Sequence, residues 1–142
     1  MKRLGDIIMA DDNGNDVSLV SYALRDAGLT NPIQWIKDGN TLVHYLTQNQ
    51  QIERMPLLIV IDWNIPGTNT IQILKWIRSQ PVYLNVLIAV LTGSDDPIGK
   101  QQAYEAGANW HLVKTPAFAD LTELIRRIRG FWSPDIIMPS FE

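Results

Sequence analysis

Leu57 to Gly67 reads LLIVIDWNIPG: five aliphatic residues run straight into an aspartate, followed by Trp63, Asn64 and a proline–glycine turn. A run of five is too short for a helix. Unbroken by any polar residue, it predicts a strand buried on both faces, as in the middle of a parallel sheet. A carboxylate at the end of such a strand costs free energy unless its charge is compensated. Asp62 therefore asks for a partner elsewhere in the chain.

Working outward, four further runs read as strands: Asp6–Ala10, Ile33–Lys37, Val86–Leu91 and Trp110–Val113. The first and third of these are nearly continuous apolar runs and belong in the centre of a sheet. The other two are weaker and predict edge strands. Between them lie helical patterns. Val17, Val20, Leu24 and Ala27 recur at about 3.6 residues, with Gly28 following as a C-terminal cap. Asn40 is the expected cap of a second helix carrying Leu42, Tyr45 and Leu46, and a third carries Ile71, Leu74 and Ile77. The sequence SDDP, Ser94 to Pro97, places cap residues before a first-turn proline, and Gly107 ends that fourth helix. A fifth helix packs Leu121, Leu124, Ile125, Ile128 and Phe131, with Arg126, Arg127 and Arg129 toward solvent. Five consecutive βα units predict an α/β fold with a five-stranded parallel sheet and helices on both faces.

The bulk composition agrees and excludes several classes. At 46% hydrophobic and 19% charged residues, the 142-residue chain is globular and of single-domain size. It has no apolar run near the ~18 residues of a membrane span. MKRLGDIIMADD meets acidic residues too early for a signal peptide. The absence of cysteine excludes a disulfide framework or a thiolate metal site. The net charge of −3 gives no attraction to nucleic acid or an anionic membrane. A soluble, cytoplasmic protein is expected.

In open parallel sheets, ligands bind beyond the carboxyl ends of the strands. Those positions hold Asp11 and Asp12 after the first strand, Asp62 after the third, Thr92 after the fourth and Lys114 after the fifth. Each has an ordinary reading alone: a helix cap, a turn aspartate, a loop threonine, a solvated lysine. Together they converge on one sheet edge. Three carboxylates raise one another's pKa values unless a cation joins them. Magnesium fits, being a hard ion that takes one or two carboxylates and accepts phosphate oxygens. A carboxylate so poised can attack phosphorus, with the hydroxyl and ammonium offsetting charge on the transferring oxygens.

On these residues the chain resembles the receiver domains of two-component response regulators. The separations fit as well, 30 positions from Asp62 to Thr92 and 22 from there to Lys114, and DWNIPG resembles the chemotaxis-type phosphorylation motif. The resemblance implies a doubly wound, flavodoxin-like (βα)5 fold with strand order 2-1-3-4-5. It further implies a receiver over residues 1–132 and a tail over 133–142. Asp62 would be the phosphoacceptor. Asp12 would be the principal magnesium ligand, aided by Asp11, Asp62 and the backbone carbonyl of Asn64. Thr92 and Lys114 would hold the phosphoryl group, and His111 falls at the aromatic switch position of the fifth strand. Asn64 sits where the family tunes hydrolysis. Such a protein is no turnover enzyme but a phosphoacceptor that promotes its own phosphorylation and dephosphorylation. Its partners would be a sensor histidine kinase or phosphotransfer protein and a downstream target, met through the fourth helix, fifth strand and fifth helix.

Two departures stand out. The family usually has glycine eight residues after the nucleophile, where this chain has Thr70. Its lysine is normally followed by a cis proline, where this chain has Thr115, with Pro116 next. Thr70 tolerates positive φ poorly, so the loop before the third helix is expected to differ. A cis bond at Lys114–Thr115 would cost roughly 2.5–4 kcal/mol. Lysine followed by a small polar residue, a helix ending in Phe131–Trp132 and a short tail are similar to stand-alone regulators paired with bacterial phytochromes. The apolar tail SPDIIMPSFE is expected to help cover a partner or a second copy of the chain. Two alternatives compete. A pseudo-receiver, binding partners regardless of phosphorylation, is prompted by Thr70 and Thr115 but opposed by the intact acidic set. A flavin protein would want a Ser/Thr/Gly-rich loop where DDNGND stands, and a turnover phosphatase a carboxylate where Asn64 stands.

Overall fold

The aliphatic runs do form the centre of a parallel sheet. The computed structural model describes residues 5–114 and 126. In chain order the elements are β1 (Ile7–Ala10), α1 (Gly14–Asp26), β2 (Ile33–Ile36), α2 (Gly39–Gln48), β3 (Leu58–Asp62), α3 (Thr70–Ser79), β4 (Ile88–Thr92), α4 (Pro97–Ala106) and β5 (Trp110–Val113). Short 3-10 turns at Ile52–Arg54 and Pro81–Tyr83 precede β3 and β4. The strands run parallel in the order β2-β1-β3-β4-β5, as expected. The fifth helix, the tail over 133–142 and the Lys114–Thr115 bond lie outside the described residues, apart from Arg126, which is helical and exposed.

The two-residue pleat sorts the core into two layers. Ile7, Met9, Leu58, Val60, Ala89 and Leu91 pack with Val20, Ala23 and Leu24 of α1. Their neighbours Ile8, Ala10, Ile59, Ile61, Ile88 and Val90 pack with Leu42 and Leu46 of α2, Ile73, Leu74 and Ile77 of α3, and Ala103 of α4. The second layer also seals Tyr83, whose ring is fully buried and whose hydroxyl donates toward the carbonyls of Leu46 and Asn49. Every residue of β1, β3 and β4 is buried, because each of these strands has a helix layer on both sides.

Helix ends follow the local chemistry, with two corrections. Asp38, not Asn40, caps α2. Its carboxylate accepts from the Thr41 amide at 2.8 Å and from the Thr41 hydroxyl at 3.0 Å. Asn40 stands two residues later, inside the first turn, where its side chain cannot reach a free amide of its own helix and lies near the Gly67 carbonyl instead. Likewise Asn13 rather than either aspartate caps α1, accepting from the Asn15 amide. Asp96 caps α4 ahead of Pro97, and Gly107 closes it at φ +118°, both as expected.

The loop from β3 to α3 resolves the Thr70 question. The positive φ in this loop falls on Gly67, at +92°, and Thr70 is the first residue of α3, capped by Asn69. The loop lies against the start of α2, where the Gly39 amide donates to the Pro66 carbonyl at 2.9 Å. A Cβ at Gly39 would collide with the Thr68 methyl and the Ile73 side chain, so a larger residue here would have to displace both.

Candidate functional site

The pleat that sorts the core also aims the strand-end side chains. Asp62, the last residue of β3, follows Leu58 and Val60 on the α1 side of the sheet, and Asp11 follows Ile7 and Met9. Lys114 follows Leu112 in the same alternation, one residue past β5. These three meet. Lys114 Nζ lies 2.8 Å from Asp62 Oδ1 and 4.0 Å from Asp11 Oδ2. The partner that Asp62 needs is therefore Lys114, brought across β4 by the strand order. Its backbone is placed by its own amide, which donates to the Thr92 carbonyl at 2.6 Å.

One ammonium does not balance the carboxylates around it. Asp11 and Asp62 are both buried, at 1% and 4% exposure, and Asp12 stands exposed beside them. Ligand oxygens of Asp11, Asp12 and Asp62 lie within 4.8 Å of one another. Asp11 Oδ1 accepts from the Asn13 amide at 2.9 Å, whereas Asp11 Oδ2 is buried with no hydrogen-bond partner among the described residues. Burial, with the nearby charges of Asp62 and Asp16, pushes the Asp11 carboxyl up to about 6, against the Asn13 amide and Lys114. For Lys114, burial works against the ammonium. The hydrogen bond to Asp16, the close ion pair with Asp62 and the charge of Asp11 overcome it, and its pKa is raised. An all-oxygen donor set with an orphaned buried carboxylate oxygen fits a hard divalent cation such as magnesium.

Thr92 ends β4 beside β3 and is buried. Its hydroxyl oxygen accepts from the Ser94 amide at 3.3 Å, so it rests against its own loop. Asn64, two residues past Asp62, is exposed. Trp63, half-buried, lies close to Gly99 at the start of α4, so the loop carrying Asn64 is coupled to that helix. His111 lies mid-β5 opposite Val90, half-buried, with its amide donating to the Tyr104 hydroxyl at 3.2 Å. Burial lowers its pKa, helped by Lys100 and opposed by Asp95 and Asp96. The ring thus belongs to the α4 side of β5, away from the carboxylates.

Three contributors escaped sequence reasoning. Asp16, in the first turn of α1, holds Lys114 Nζ at 2.6 Å. Its signal was an acid four positions after Asp12, on a helix that starts at the reactive edge. Trp35 on β2 donates its indole N–H to the Asp11 carbonyl at 2.6 Å and fixes the loop holding the acidic pair. Thr70, 3% exposed, directs its hydroxyl at the carbonyls of Asp62 and Trp63, both at 2.9 Å. Thr70 thus ties the start of α3 to the backbone at the end of β3. Thr70→Val, nearly isosteric but without the donor, is expected to lower unfolding free energy by about 1–2 kcal/mol in urea titration. No change would show that the hydroxyl does not hold this loop.

Comparison with known proteins converges on one group. Residues 7–126 match the response regulator receiver domain family. The response regulator Rcp1 of Synechocystis is 26% identical over 136 residues, covering 94% of this chain and 92% of that protein. The chemotaxis protein CheY-3 of Vibrio cholerae is 30% identical over 122 residues, covering 86% and 89%. Among solved structures, the phosphorylated cyanobacterial phytochrome response regulator RcpA superposes with a TM-score of 0.77 at 25% identity, over 96% of this chain and 99% of that one. The Mn(2+)-bound form of Rcp1 gives 0.74 at 25% identity, with the same coverage.

Proposed function

The chain belongs to the response regulator receiver family, and from that premise we propose that it works as a stand-alone response regulator whose Asp62 takes a phosphoryl group from a histidine kinase or phosphotransfer protein. The observation that carries this reading is the buried Asp62 carboxylate, 2.8 Å from Lys114 and clustered with two further aspartates at one sheet edge. The pseudo-receiver alternative would have no use for that arrangement.

The chain's own residues account for most of the chemistry. An Asp62 carboxylate oxygen attacks phosphorus in line; its bond to phosphorus forms as the donor's bond to phosphorus breaks, and the electron pair leaves with the donor. Asp12, Asp11, the second Asp62 oxygen and the Asn64 carbonyl would hold magnesium, which when bound offsets charge on the phosphoryl oxygens. Lys114, already 2.8 Å from Asp62 Oδ1, holds an oxygen of the transferred group. Thr92 leaves Ser94 to bind another, and His111 follows it, repacking β5 against α4. In dephosphorylation, water attacks phosphorus past Asn64, which sets access; the bond from phosphorus to the Asp62 oxygen breaks, its electron pair returns to the Asp62 carboxylate, and the group leaves as inorganic phosphate carrying the water oxygen. The output is a change in the surface that α4 and β5 present to a protein target. RcpA, a phytochrome response regulator by its name, supports a phytochrome-type kinase as the donor.

Incubation with magnesium and a small acyl phosphate is expected to add one phosphoryl group, seen as an acid-stable, base-labile mass increment. A chelator should suppress it. A chain that gains no increment under these conditions would favour the phosphorylation-independent alternative.

A further inference from the structure

Asp16 is the carboxylate at this site to which the family pattern gives no task. It makes the shortest contact in the cluster, 2.6 Å to Lys114 Nζ, so the ammonium is shared between Asp16 and Asp62. It cannot drift away from the site. It sits in the first turn of α1, where the helix N-terminus favours its charge, and α1 is anchored on the sheet by Val20, Ala23 and Leu24. Its side chain is only 18% exposed, so the charge is weakly screened.

We propose that Asp16 is a positioning residue for Lys114 that competes with the phosphoryl group for the ammonium and so disfavours the phosphorylated state. This rests on the reading of Asp62 as the phosphoacceptor. Before phosphorylation, Asp16 holds Lys114 over the buried carboxylates and keeps it out of solvent. On phosphorylation, the single charge on Asp62 gives way to a group of nearly two negative charges at the same place. Lys114 is then drawn to that group, and the Asp16 carboxylate, fixed to α1, loses its partner while facing a stronger anion. Both effects oppose the phosphorylated form. The kinase must therefore work against a spring that lies outside the usual acidic set.

The test uses beryllofluoride, which binds a carboxylate oxygen in the shape of a phosphoryl group, at saturating magnesium with fluorine NMR as the readout. Wild type is compared with Asp16→Asn, which keeps a hydrogen-bond acceptor but no charge, and with Asp16→Glu, which keeps the charge. The asparagine variant is expected to bind at least about threefold more tightly, as removal of one unit charge several Å from the anion should allow. The glutamate variant is expected to stay close to wild type. Thermal melts of all three show whether each is folded. Equal or weaker binding by a folded Asp16→Asn would overturn the inference while leaving the phosphoacceptor reading intact. A wild type that binds no beryllofluoride would overturn both. A purely structural role for Asp16 predicts weaker binding in the asparagine variant, the opposite sign.

Discussion

Asp62→Asn is expected to abolish phosphoryl uptake from a small phosphodonor, by a factor of about a thousand or more, while the chain remains folded. An amide is a poor nucleophile toward phosphorus, and among the described residues nothing else at the edge is placed to replace the lost carboxylate. Asp11 is buried, with one oxygen tied to the Asn13 amide, and Asp12 is turned to solvent. The loss should not be a folding defect, since asparagine fits the same volume and removes one of two buried carboxylates from a site with one ammonium. Uptake in the variant at a wild-type rate would place the acceptor elsewhere.

Asp11→Asn is expected to raise the stability of the magnesium-free protein near neutral pH. The Asp11 carboxyl is pushed from its ordinary 3.8 to about 6, chiefly by burial. Below pH 3.8 it is protonated in both folded and unfolded chains and contributes nothing against folding. As pH rises from there to about 6, the unfolded chain releases a proton that the folded chain retains, so stability falls through that window. Above it the full penalty stands, on the order of 1–3 kcal/mol for a shift of this kind. Asparagine keeps the acceptor for the Asn13 amide and removes the charge. In urea titrations with a chelator, the variant should therefore exceed wild type near pH 7.5 by about that amount, and the gap should close toward pH 4. Magnesium should reverse the order, because wild type gains stability by mass action and the variant has lost a ligand. A variant less stable than wild type without metal would show that the buried Asp11 charge carries no such penalty.

The sheet was legible because three aliphatic runs can only be central parallel strands, and once they are, topology decides which residues share an edge. Asp11, Asp12, Asp62, Thr92 and Lys114 followed from that placement, and the family spacing reinforced it. What stayed hidden depends on side-chain direction. Asp16 and Lys114 are 98 positions apart and meet only because α1 packs on the face toward which β5 points Lys114. Thr70 read as a misfit because the family position suggested positive φ, whereas the backbone gives that task to Gly67 and leaves Thr70 free to begin α3. Asp38 and Asn40 are both good caps. Only the register of the first turn of α2 selects between them, and sequence boundaries are not defined to that precision.

The measurement that bears most directly on the central claim is the location of the phosphoryl group itself. The protein is loaded with magnesium and an acyl phosphate, reduced with borohydride, which converts a phosphorylated aspartate to homoserine, and mapped by peptide mass spectrometry. Homoserine at position 62 alone, absent when magnesium is chelated, is the predicted result. Homoserine at position 11 or 12, or none at any aspartate of a chain that is folded and loaded with magnesium, would contradict it.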